Sequence, residues 1–195
     1  MKQYCFSLEN SFLQNGLVSC LEEMYNQTMP VIVCVGTDGV VGDSLGPLVG
    51  SFLKEKNLPA FIYGELFNPI TAKQIVGIKE FIYKTHPDSK VLVIDSAVGD
   101  QEEIGLIKIC DQGIKPGLGA KKDLPKIGDI SIIGIVEKRG KIEKLKSTRL
   151  RLVYKMAQEI ALAIEKHIVF NIVKESKIKS LTKIGKLQKS TKKAN

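Results

Sequence analysis

The chain has 195 residues, 44% of them apolar, which suits one domain of ordinary size with a substantial core. Its formal net charge is +8, but residues 174–195 hold eight lysines against Glu175, so that segment contributes +7 and the preceding 173 residues stand near neutral at +1. The four cysteines, at 5, 20, 34 and 110, lack metal-ligand spacing, and no window approaches the eighteen or so apolar residues of a membrane span, which argues against a zinc framework and a membrane protein. The opening MKQYCFSLEN meets Glu9 before any apolar run and does not read as a signal peptide. The expected setting is the cytosol, with reduced thiols.

Residues 10–26 place Phe12/Leu13, Leu17, Leu21 and Met24 at helical spacing, with Asn10 as a capping residue. PVIVCVG (30–36) is a continuous, largely β-branched apolar run, the pattern of a strand buried on both faces of a parallel sheet, with Cys34 in its core. After TDGVVG, the segment DSLGPLVGSFLKEKN predicts a helix with Asp43 at its N-cap and Pro47 in its first turn. A strand over 60–65, a helix over 71–85 and a buried strand over 90–99 follow. Two more strands, 103–110 and 129–136, precede a long amphipathic helix over roughly 145–170. The 103–110 strand follows its predecessor too closely for a helical crossover, so it is expected to run antiparallel or at an edge. The order α-β-α-β-α-β-β-β-α predicts a single α/β domain over 1–173, with helices on both faces of a mainly parallel sheet. Residues 174–195 are expected to form a disordered basic tail, solubilising or in weak contact with nucleic acid.

Ligands of open parallel sheets bind beyond the carboxyl ends of the strands. Asp43, after the first buried strand, and Asp95, ending KVLVID, both map there. Taken singly, each has an ordinary explanation, a helix cap and a turn former. Together on neighbouring parallel strands they converge on one crevice, where close carboxylates share a proton and divide acid and base roles. Asp95 is read as the base and Asp43 as the acid, with the reverse left open. Two aspartates with a third ligand also offer a metal site. Glycines flank both positions. Gly36, Thr37, Asp38 and Gly46 in the first loop, with Gly113, Gly117 and Gly119 in DQGIKPGLGAKKDLP (111–125), are the expected substrate-binding wall. No G-K-[S/T] or G-x-G-x-x-G occurs where a phosphate loop needs it. His86 and His167 fall away from the strand ends and read as surface residues, which removes a Ser/His or Cys/His device.

GTDGVVGDSLGP (36–47), VIDSAVGD (93–100) and DQGIKPGLGAKKDLP (111–125) resemble, in order, three segments of the spore germination protease, within the superfamily that includes the hydrogenase-maturation proteases. Length and motif set look most like the short YyaC-type sporulation proteins. The resemblance implies a phosphorylase/hydrolase-like three-layer α/β/α fold and an atypical aspartic endopeptidase with Asp43 and Asp95 as its active-site pair. It implies no cofactor and no resident metal: no histidine lies between 87 and 166, where the maturation proteases carry the one that reads nickel. The implied partners are polypeptides such as small acid-soluble spore proteins, in the forespore or spore interior, with self-association open. A non-catalytic binding or regulatory protein on the same fold, and a metal-dependent maturation peptidase, are the alternatives.

Overall fold

A computed structural model describes residues 1–25, 29–116, 124–140 and 142–191, with the backbone alone at 142 and 180–191. The buried runs become the parallel strands β2 (Val31–Cys34), β3 (Phe61–Tyr63), β4 (Val91–Gly99) and β6 (Ile130–Lys138). β5 (Leu106–Cys110) runs antiparallel to β6, as the short connection requires, and β1 (Gln3–Ser7) closes the edge antiparallel to β5. The six-stranded order is β1-β5-β6-β4-β2-β3.

Side-chain alternation divides this sheet between two apolar layers. Val31 and Val33 of β2, Val35 just beyond it, and Val91 and Val93 of β4 face α3 (Ile75–Thr85), where Ile75 and Ile82 cover them. Ile32, Cys34, Leu92 and Ile94 face the other way, against α1 (Leu13–Met24), α2 (Leu45–Glu55) and α4 (Leu150–Thr191). The result is the three-layer α/β/α arrangement with a mixed sheet. Full burial of each such aliphatic side chain stabilises by roughly 1.5–3 kcal/mol, so both layers are needed to hold the central strands.

Several local details differ from the sequence reading. β1 is an added element. Asn10 does not cap α1 but accepts the Phe12 N–H at 2.8 Å in a turn before the helix. α4 extends helically to Thr191, through the segment expected to be unstructured, because its lysines, leucines and isoleucines include no proline or other strong helix breaker before Gly185. His86 and His167 are buried rather than on the surface. His167 falls in the same helical register as Ile164 and Ile168, stacks on Tyr25 and bonds the Tyr25 carbonyl at 2.6 Å. His86 ends α3 against Phe61 and the Tyr63 hydroxyl, 2.7 Å away. Among the described residues neither forms a hydrogen bond or ring contact with Asp43 or Asp95.

Candidate active site at the carboxyl ends of the parallel strands

Pairing between β2 and β4 stops at Cys34 opposite Ile94, and the Val35 N–H still reaches the Ile94 carbonyl at 2.8 Å. Beyond that point β2 leaves the sheet while β4 continues beside β6 to Gly99, with a register shift between Ala97 and Val98. Asp95 is the first β4 residue past the departure of β2. It lies within the strand, so it is not the turn former that KVLVID suggested. It is 8% exposed.

The departing chain folds back over this gap. The Thr37 N–H bonds the Asp43 carbonyl at 2.9 Å, closing a loop whose last residues, Val41–Asp43, form one 3-10 turn. Gly36 has φ +140°, and a Cβ there would sit 2.1 Å from the Asp43 carbonyl oxygen. Only glycine lets the two ends of the loop approach so closely. Gly46 brings the start of α2 onto β2 in the same way, since its Cβ would meet the Val35 carbonyl at 2.1 Å. Ser44, not Asp43, takes the N-cap position, and it makes no side-chain capping bond to the helix. The Asp43 carboxylate is therefore free of capping and points toward β4.

There Ser96 lies between the two acids. Its N–H donates to Asp95 Oδ1 at 2.8 Å, and its hydroxyl donates to Asp43 Oδ1 at 3.4 Å, long for such a bond and correspondingly weak. Burial pushes the Asp43 carboxyl up to about 6, with the Ser96 hydroxyl pulling the other way. Asp95 is pushed well above the usual carboxylate range, first by burial and then by the charge of Asp43, against the pull of the Ser96 N–H. Burial therefore favours the protonated form of both carboxyls, and that of Asp95 the more strongly; two carboxyls held unequally by their surroundings can divide donor and acceptor roles. Among the described residues no group of three or more His, Cys, Asp or Glu side chains is placed to hold a metal ion.

Of the expected binding wall, Gly36 and Thr37 lie against the Asp43 carbonyl, and Gly46 lies against Val35. Thr37 is half-buried, with its hydroxyl accepting the Gly39 N–H at 3.2 Å, and Asp38 is exposed. Gly113 is not brought to the pair. It lies at the opposite edge of the sheet, where its Cβ would meet the Gly128 and Ile127 carbonyls at 2.0 and 2.3 Å. β5 runs antiparallel, so the segment that follows it emerges among the amino ends of the parallel strands. Gly117 and Gly119 lie outside the described residues. Ser96 escaped the sequence reading; its one signal was adjacency to Asp95.

The family profile "Protein of unknown function (DUF1256)" matches residues 6–163. The chain belongs to the DUF1256 family. A Bacillus subtilis (strain 168) member, "Uncharacterized protein YyaC", is 43% identical over 134 residues, 67% of this chain; the aligned chain spans 65% of that relative's length. Among solved structures, the [NiFe] hydrogenase maturation protease HycI from Thermococcus kodakarensis KOD1 aligns over 76% of this chain and 98% of its own, with a TM-score of 0.49 and 20% identity. No described helix of this DUF1256 chain is long and apolar enough to cross a membrane.

Proposed function

We propose that this DUF1256 chain is a peptidase in which Asp43 and Asp95 act directly as base and acid. The observation that supports the reading is that Ser96 touches both acids, its N–H on Asp95 and its hydroxyl on Asp43, while burial favours the proton on Asp95 more strongly than on Asp43. Asp43 takes a proton from a water molecule as that water adds to the peptide carbonyl. Asp95 gives its proton to the carbonyl oxygen or to the departing amine, and the proton held by Asp43 restores the starting state. This reverses the roles first read from the sequence, because burial and the neighbouring charge both act most strongly on Asp95.

The choice of a peptide bond rests on the resemblance of the three segments 36–47, 93–100 and 111–125 to the germination protease. The spore setting and small acid-soluble spore proteins as substrates rest there too.

The test is incubation of the purified chain with a small acid-soluble spore protein, followed by mass spectrometry of the fragments. Cleavage by the wild type and its loss in both Asp43→Asn and Asp95→Asn is the expected result. Cleavage that survives either substitution unchanged overturns the reading. Binding without any cleavage moves the chain to the class of non-catalytic binding proteins.

A further inference from the structure

The chain's positive charge is not confined to its C-terminal segment. Residues 137–151, EKRGKIEKLKSTRLR, hold seven lysines and arginines against Glu137 and Glu143, a net +5. With this stretch and 174–195 set aside, the remaining residues sum to −4. Residues 137–151 therefore carry a larger positive excess than residues 115–126, where four lysines against Asp123 give +3.

The fold puts that segment beside the aspartate pair. β6 delivers Lys138 and Arg139 to the carboxyl edge of the sheet, a 3-10 turn over Ile142–Ser147 carries Lys144 and Lys146, and Arg149 and Arg151 flank Leu150, the first residue of α4. Glycine at 42 lets the turn lie against the Asp43 loop, since a Cβ there would fall 2.6 Å from the Leu145 side chain and 2.9 Å from Thr148 Oγ1. The Ser147 and Thr148 hydroxyls both bond the Lys144 carbonyl, at 3.1 and 3.3 Å, which fixes the turn. Lys138, Lys144, Lys146, Arg149 and Arg151 are exposed, and none forms an ion pair with a described acidic residue. Arg149 and Arg151 stand at the start of a helix whose first turn holds no acid, where the helix dipole disfavours cations. Fold stability does not account for that placement.

We propose that this basic ridge docks an acidic stretch of a polypeptide, on the peptidase reading the part of the substrate flanking the bond to be cut. Unpaired lysines and arginines beside the site match carboxylates in charge and donor geometry. A strand-tracking nucleic-acid groove interleaves its cations with aromatic stacking platforms, and residues 137–151 contain no Phe, Tyr or Trp. A polypeptide is therefore the favoured occupant.

Fluorescence anisotropy on the full chain carrying Asp43→Asn separates the cases without turnover. The probes are a labelled glutamate-rich peptide, the same peptide with glutamines in place of the glutamates, and a short DNA duplex. The expected result is preference for the glutamate peptide, weakened about ten-fold by K144Q/K146Q/R149Q and unchanged by K186Q/K189Q/K192Q, with circular dichroism confirming the fold. Equal binding of the two peptides, weakening by the C-terminal substitutions alone, or a ridge variant that loses the duplex but keeps the peptide overturns the proposal. Binding as expected without cleavage by the wild type supports the ridge and refutes the peptidase reading. Aspartate-dependent cleavage with ridge-independent binding does the reverse.

Discussion

At the amino ends of the parallel strands, polar groups hold the chain together. Asp129 accepts the Val91 N–H at 2.8 Å, Tyr25 donates to the Val31 carbonyl at 2.9 Å, and Tyr83 accepts the Gly128 N–H at 3.2 Å. Clefts of about 380 and 320 Å³ lie away from the aspartate pair, the first between Lys2, Glu23, Lys90, Asp111 and Asp129, the second between Lys54 and Tyr63. At the carboxyl ends, Asp95 is buried with one backbone N–H for support and feels the charge of Asp43, and Asp43 has one long hydroxyl contact. At one edge Asp129 uses its acceptor capacity on the backbone, although Asp111 Oδ1 there is buried without a hydrogen-bond partner among the described residues. At the other, Asp43 and Asp95 are both pushed above the usual carboxylate range, a perturbation that clusters at functional sites.

The widest separation between the edges is expected from Asp95→Asn. Hydrolysis should fall roughly a hundred- to ten-thousand-fold, read as kcat on a polypeptide substrate. The fold should respond in the opposite sense. Asp95 holds its proton more tightly when folded than when unfolded, so this linkage weakens the native state above the ordinary carboxylate range and vanishes below it. Asparagine has no such proton. The variant should therefore melt a few degrees higher than wild type at pH 7, the scale of about 1 kcal/mol in a domain of this size, and the gain should disappear near about pH 3. A melting temperature lowered at pH 7 would break the comparison.

Next in size is Gly36→Ala. A methyl group 2.1 Å from the Asp43 carbonyl oxygen cannot be accommodated without moving the loop. A loss of about 2–3 kcal/mol in urea denaturation is expected, with activity lost in parallel. Asp129→Ala is its counterpart at the other edge: about 1–2 kcal/mol of stability lost with the Val91 hydrogen bond, and kcat unchanged. A fall in kcat there would erase the distinction between the two edges.

The finest test is pH. Activity should fall as the medium is acidified through about 6, where Asp43 takes up a proton, although the apparent midpoint belongs to the coupled pair. Ser96→Ala removes the hydroxyl that favours the ionised form, so the acidic limb of the profile should move to higher pH while the alkaline plateau changes little. A limb that stays in place would leave Ser96 without an electrostatic role.

The sequence made the central strands plain, because VIVC and VLVI are apolar on both faces and neither run sits comfortably anywhere but inside a sheet. β1 was obscure: QYCFS is five residues long, mostly exposed and without alternation, and its status as a strand depends wholly on β5. That both aspartates follow the apolar runs of parallel strands was legible from strand order. The details of the pair were not. Whether Asp43 caps α2 or ends the preceding turn depends on one residue of displacement, settled by the contact between Gly36 and the Asp43 carbonyl. Gly113 was misplaced through an unfinished inference, since a β5 read as antiparallel already sends the following residues to the far edge. The basic ridge was hidden by its neighbour in composition, the lysine-rich 174–195, which absorbed nearly all of the net charge.

The pairing of β1 has a bearing on how the molecule is made. Gln3 sits opposite Cys110, and β5 is itself completed by β6, which ends at Lys138. At roughly 5–20 residues per second, a ribosome needs about ten seconds to produce the strands on which β1 depends. During that interval β2, β3 and β4 can already associate around α2 and α3. The half of the sheet that carries both aspartates is therefore free to assemble first, and the outer strands are added to it late in synthesis.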